Sequence, residues 1–161
     1  MKSRAGNVLR VERGRGTRDS RTRDGTSNDR PRLVRRRSKI SGWGVYAGQA
    51  IPEDTPIVEY KGALITQAEA WRREQRYLPR QRIWIFTIDD RWARDAAFGG
   101  NIARYVNHSC HPNCYTDVIG KTIWILAARR IKEGEELTYD YNTDGIAGIR
   151  CRCRAGCRRT L

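Results

Sequence analysis

Apolar positions come in short runs separated by glycine, proline and acidic breaks, the pattern of many short strands with little helix. Folding is expected to begin near Val34–Ser38. Ser41-Gly42-Trp43-Gly44-Val45-Tyr46-Ala47 predicts a glycine turn leading into a strand, with both glycines free to adopt positive φ or to admit a close neighbour. Ile57-Val58-Glu59-Tyr60-Lys61-Gly62 and Ala63-Leu64-Ile65 predict two more strands. Thr66-Gln67-Ala68-Glu69 has the form of a capping box and opens a helix through Trp71 to about Leu78, stopped by Pro79. Ile83–Ile88 and Trp92–Ala97 predict strands, and Asn101–Tyr105 a short helical stretch. Tyr115–Val118 and Thr122–Ala128 predict a hairpin turned at Gly120-Lys121, and Glu136–Asn142 a final short strand.

Residues 1–37 break this pattern. They are Arg, Gly, Ser, Thr and Asp with almost no large apolar side chains, so they cannot bury enough surface to offset the entropy of ordering. They are read as a disordered tail ending in Arg35-Arg36-Arg37. The tail also explains the charge. The 161 residues carry a net +14, and residues 1–39 hold 14 Lys/Arg against 4 acids. Such a balance favours polyanionic partners, nucleic acid first, through the basic tail; a solvated, solubilising tail is the other reading. No apolar run is long enough for a membrane span or a signal peptide, so the expectation is an intracellular protein with no membrane attachment and reduced thiols. Five cysteines, three of them in Cys151-x-Cys153-x3-Cys157, then point to metal ligation rather than disulfides.

Chemistry concentrates in Arg104-Tyr105-Val106-Asn107-His108-Ser109-Cys110-His111-Pro112-Asn113-Cys114. Pro112 removes a backbone donor, and Asn and Ser favour side-chain turns, so the segment is expected to be a loop outside helix and strand. Residue types alone leave two readings open, a functional loop or a cysteine-containing turn.

Four motifs in order decide between them. Gly42-Trp43-Gly44, Glu59-Tyr60-Lys61-Gly62, Asn107-His108-Ser109-Cys110-x-Pro112-Asn113 and Gly134-Glu135-Glu136-Leu137-Thr138-Tyr139-Asp140-Tyr141 resemble SET-domain protein-lysine methyltransferases from about residue 33 to the end. The cysteine tail resembles the post-SET zinc segment, although its last gap is three residues where the family usually has four. The resemblance implies a mostly β fold of several small sheets with a pseudo-knot. It divides the chain into the tail 1–37, a SET domain 38–142 and a post-SET zinc segment 143–161. Lacking a pre-SET cluster, the chain looks most like short stand-alone bacterial members, which implies the cytoplasm or nucleoid in a bacterium, or chromatin in a eukaryote.

The resemblance also implies S-adenosyl-L-methionine as methyl donor and a lysine side chain of a histone or histone-like protein as acceptor. It assigns Gly42, Trp43, Gly44, Arg104, Asn107, His108 and Leu161 to the cofactor, Tyr141 to catalysis, and Cys110, Cys151, Cys153 and Cys157 to zinc. Tyr139 stands where the family carries Phe or Tyr, and a Tyr there implies mono- or dimethylation. His111 and Cys114 are spare thiol or imidazole groups, read as a loop residue and a packed thiol. The residue types suit the reaction: in-line methyl transfer needs alignment and a dry channel, and desolvation favours the neutral amine. Two other functions fit the sequence, a methyltransferase of a ribosomal or other non-chromosomal protein, and a non-catalytic module that binds nucleic acid and peptide.

Overall fold

The computed structural model describes residues 30–145 and 147–161. Ten short strands and one α-helix build four small sheets. Strands β1 (Leu33–Arg37) and β2 (Trp43–Ala47) pair antiparallel, with Arg37 opposite Trp43 and Leu33 opposite Ala47. The expected boundary at residue 37 therefore falls at the end of a strand, inside the folded part. Leu33–Arg37 form a strand because β2 offers them a full ladder, and residues 1–29 lie outside the described residues.

Strands β3 (Pro56–Glu59), β8 (Cys114–Ile119) and β9 (Thr122–Ala127) form an antiparallel sheet with β9 in the centre. Its hairpin turns at Gly120, where φ is +61°, a conformation that a side chain would strain. Strand β9 alternates, with Ile123, Ile125 and Ala127 fully buried. The third sheet takes β4 (Ala63–Thr66), β6 (Trp92–Asp95) and β5 (Ile85–Thr87) in that order. Helix α1 (Gln67–Tyr77) leaves β4 directly. Thr66 caps it by accepting from the Glu69 backbone N–H, while the Glu69 carboxylate turns to Arg72 and Arg73 instead of closing the box. Pro79 falls in a single 3-10 turn, Leu78–Arg80, that ends the helix.

Four expected strands are shorter than predicted, β3, β5, β6 and the last, β10, and one strand appears where a loop was expected. Asn107–His108 are β7, paired in parallel with β10 (Thr138–Tyr139). Pro112 lies beyond this pairing and does not prevent it. Strand β10 stops at Tyr139 because the Asp140 carboxylate accepts the Asn142 N–H and Asn142 turns to φ +50°. Before it, Leu137 N–H goes to Val45 O rather than into the ladder. Strand β5 is likewise limited to Ile85–Thr87.

This crossing of β7 and β10 is the pseudo-knot, and the main core wraps it: Val45, Ile51, Ile57, Tyr60, Phe86, Val106, Ile131, Leu137 and Tyr139 are all buried. Burial of that apolar surface is the main force holding these separate sheets together. The C-terminal segment folds back, with Ile149 and Leu161 exchanging backbone hydrogen bonds. Among the described residues no helix is long and apolar enough to cross a membrane.

Candidate active site and thiolate cluster

The parallel pairing places Asn107 and His108 at the centre of the molecule, 8% and 3% exposed. Asn107 Nδ2 donates to Ser41 O at 3.3 Å, Trp43 O at 3.1 Å and Glu136 Oε1 at 2.9 Å. One amide thus fixes the turn at Gly42, whose φ is +44°. Glu136 Oε2 in turn accepts from Ser38 Oγ and Tyr46 OH, each at 3.0 Å. Gly44 sits against this carboxylate, and a Cβ there would overlap Glu136 Oε1. A second amide, Asn113, ties the other side of the crossing. Its Nδ2 donates to Glu136 O at 2.8 Å and Glu135 Oε1 at 3.0 Å, and its Oδ1 accepts from Thr138 N at 2.9 Å.

His108 is held on both ring nitrogens. Nδ1 accepts from the Tyr141 N–H at 3.2 Å, which places the proton of the neutral ring on Nε2, facing Cys110 Sγ at 3.4 Å. Burial brings the imidazole down to about 4, against the opposite pull of Asp140. Tyr141 packs edge-on to His108, with centroids 5.4 Å apart, and its hydroxyl donates to Val106 O at 2.8 Å.

A cavity of about 280 Å³ opens beside these groups. Gly42, Trp43, Arg104, Asn107, His108, Tyr141 and Leu161 line it, so the structure brings seven of the nine expected cofactor and catalytic residues together. Gly44 and Tyr139 do not line it. Gly44 lies under the Glu136 carboxylate, and Tyr139 lies behind Tyr141. Sequence reasoning missed Ser41, Trp84, Tyr105 and Ile149, which also line the cavity, and the two groups that brace it, Glu136 and Asn113. Glu136 and Asn113 stood inside the motifs, Tyr105 inside the Arg104–Cys114 stretch and Ser41 at the glycine turn; Trp84 and Ile149 carried no signal of their own.

Behind Tyr141 runs a chain of buried rings. Centroid separations are 4.9 Å from Tyr141 to Tyr139, 6.2 Å from Tyr139 to Phe86 and 5.5 Å from Phe86 to Tyr60. Burial raises the phenols of Tyr60, Tyr139 and Tyr141 above their ordinary value, so they remain hydrogen-bond donors at neutral pH.

On the far side of His108, Cys110, Cys151, Cys153 and Cys157 place their sulfurs within 4.8 Å of one another. All four are free thiols. The three-residue gap still closes the set. Burial pushes the thiol of Cys110 up and that of Cys151 up to about 12. Burial also pushes on Cys153, but hydrogen bonds from the Cys110 backbone and the neighbouring thiols outweigh it and bring Cys153 down to about 7. Four convergent sulfurs are a donor set for a tetrahedral soft cation such as zinc. Cys114 stands apart, buried with its Sγ against Asn113 Oδ1, and its thiol is pushed up to about 12 by burial. His111 is absent from the cluster among the described residues.

A parallel two-strand pairing, an aromatic-walled cavity and a cluster of four thiols together define a small β-built domain with a ligand-sized cavity beside its paired strands. Residues 42–142 match the family model described as SET domain, and the chain belongs to the SET-domain family. It is 42% identical over 134 residues to histone-lysine N-methyltransferase trr of Drosophila melanogaster, covering 78% of this chain and 6% of that protein. It is also 42% identical over 134 residues to histone-lysine N-methyltransferase 2D of Homo sapiens, covering 78% of the chain and 2% of that protein. A histone-lysine N-methyltransferase of Chaetomium globosum, H3 lysine-4 specific by name, is 44% identical over 136 residues, 78% of this chain and 13% of its own length. The chain thus spans a small part of the length of these relatives.

Proposed function

We propose that the chain is an S-adenosyl-L-methionine-dependent protein-lysine N-methyltransferase whose substrates are histone or histone-like chromosomal proteins. The carrying observation is the single cavity that collects Gly42, Trp43, Asn107, His108 and Tyr141 at the end of a buried ring cluster. The named activity of the relatives supports the same reading. The cavity fits the cofactor in kind: the Ser41 and Trp43 carbonyls, the Tyr141 ring and the apolar Ile83 and Leu161 suit a cation bearing an aromatic base.

When bound, S-adenosyl-L-methionine supplies a methyl group activated by a sulfonium. The chain does the rest by placement. Asn107 holds the Gly42 turn closed over the cavity, and His108 holds Tyr141 through its backbone N–H. The Tyr141 hydroxyl, fixed by Val106 O, orients the reacting centre. Tyr60, Phe86 and Tyr139, each 1–2% exposed, exclude water from the approach of the amine. A lysine must lose its proton to become a nucleophile, and desolvation beside these rings lowers its pKa. Tyr139, a buried donor, restricts the space beside the amine and favours mono- or dimethylation. Cys110, Cys151, Cys153 and Cys157, deprotonated, would hold zinc, which would act there as a structural staple.

The test uses labelled S-adenosyl-L-methionine with core histones, a bacterial nucleoid protein fraction and ribosomal proteins. Label is expected in a chromosomal protein and is lost by at least about 100-fold with Tyr141→Phe, while cofactor binding persists. Tyr139→Phe is expected to shift the product towards higher methylation states. Label confined to ribosomal proteins would overturn the substrate class. Cofactor binding without transfer to any fraction, or no cofactor binding, would overturn the catalytic reading in favour of a binding module.

A further inference from the structure

The cavity lining contains Arg82, Arg104, Arg150 and Arg152 and, among the described residues, no Asp or Glu. A sulfonium cofactor is a net cation with a single carboxylate, so one arginine answers its chemistry and the rest do not. The surplus guanidinium groups are also ordered. Arg82 lies over Trp84 at 4.5 Å, and Arg104 lies over both Trp84 and Tyr105 at 5.2 and 4.8 Å. Arg35 lies over Tyr105 and Trp43 at 5.0 and 4.7 Å, and Arg37 over Trp43 at 4.5 Å. The result is an unbroken alternation, Arg82, Trp84, Arg104, Tyr105, Arg35, Trp43, Arg37, whose three rings all line the cavity.

Arg35 and Arg37 share one face of β1 by strand periodicity, and the β1–β2 register delivers them to Trp43. Arg35, Arg37 and Arg82 are exposed and make no ion pair among the described residues. Other arginines divide: Arg72 and Arg73 pair with Glu69, Arg129 with Glu135 and Arg159 with Asp140, whereas Arg91 and Arg130 make no ion pair among the described residues, so it is the stacking on Trp43, Tyr105 and Trp84 that sets the rim apart. Stacking on a ring holds a guanidinium plane in place while its N–H edge stays free, and that fork matches the two oxygens of a phosphodiester. Because guanidinium groups occupy the faces of Trp43 and Trp84, the array suits phosphates rather than stacked bases.

We infer that the rim formed by Arg35, Arg37 and Arg82 is a docking surface for the phosphate backbone of duplex DNA, set across the mouth of the cavity. A row of cations that no carboxylate pairs with among the described residues is complementary to that polyanion, and the net charge of +14 supports its approach. The proposal rests on the methyltransferase reading only in calling this mouth the cofactor's; the array itself does not depend on it.

The test measures anisotropy of a labelled duplex of about 20 base pairs on the full chain across a salt series. Arg35→Glu/Arg37→Glu/Arg82→Glu is compared with Arg91→Glu/Arg130→Glu, exposed arginines outside the array, and with a triple lysine variant that keeps the charge. The rim glutamate variant is expected to weaken binding by at least about tenfold and to flatten the salt slope by about three. The control pair is expected to lose no more than about threefold, and the lysine variant to fall between. The lysine variant keeps the test valid if the glutamate variant does not fold. Equal losses for rim and control variants would overturn the proposal, as would tighter binding of single-stranded RNA or an acidic peptide at the rim. S-adenosylhomocysteine binding, measured separately by calorimetry, reports on the cofactor reading. Its absence alongside intact rim-dependent DNA binding sinks that reading and leaves this one standing.

Discussion

Glu136 is the residue on which the candidate site turns. Its carboxylate takes hydrogen bonds from Asn107, Ser38 and Tyr46, and it fills the space left by Gly44. Glu136→Ala removes the acceptor shared by Asn107, Ser38 and Tyr46, while Ser41 O and Trp43 O still take the Asn107 amide and Arg37 O the Tyr46 hydroxyl, at a cost of about 1–2 kcal/mol. Gly44→Ala drives a methyl group into the same carboxylate and is expected to cost about 1–3 kcal/mol. Urea unfolding of both variants, and of the double variant, checks the pairing. If the two share one site, the double variant loses clearly less than the sum. This role was not legible in the sequence, although the residue stood inside a quoted motif. Its donors lie 98, 90 and 29 positions away, and no periodicity connects them. The place of Tyr141 and His108 at the cavity was legible because each stood inside a recognisable motif.

At the scale of elements, local signals read well and pairings read poorly. Thr66 caps α1 as its sequence predicts, and Thr66→Ala is expected to lower stability by about 1 kcal/mol, read as a shift in the urea midpoint at constant slope. The hairpin turn at Gly120 was equally visible. Strands β7 and β10 were not visible at their true lengths, because two-residue parallel pairs exist only through the crossing that joins them. That crossing is tied by the segment from Arg129 to Glu135. Hydrogen bonds from Arg129 and Asn113 bring the Glu135 carboxyl down to about 2 from 4.5 in the unfolded chain. The ionised form therefore contributes fully above pH 4.5, and its contribution is lost as pH falls towards 2. Allowing for the half-exposed Arg129, the effect is about 1–2 kcal/mol. Unfolding of the wild type is expected to weaken more steeply between pH 4.5 and 2 than that of Glu135→Gln, and parallel curves would contradict the assignment.

On the scale of the whole molecule, the thiol cluster joins the two ends of the argument. Cys110 lies two residues beyond β7, while Cys151, Cys153 and Cys157 belong to the returning C-terminal segment. The same segment carries Ile149 and Leu161 to the cavity wall. A second tie, Arg159 to Asp140 at 2.8 Å, is partly exposed and contributes less than about 1 kcal/mol. The metal should therefore be the main staple, since zinc binding free energy becomes folding free energy where the site forms only in the folded chain. Elemental analysis is expected to give about one zinc per chain. Chelation, or Cys153→Ser, is expected to lower the melting temperature by more than about 5 °C and to weaken S-adenosylhomocysteine binding by at least about tenfold. Arg159→Ala should change both far less. If zinc leaves and cofactor affinity stays unchanged, Ile149 and Leu161 wall the cavity without help from the staple, and the C-terminal segment is held by its own packing.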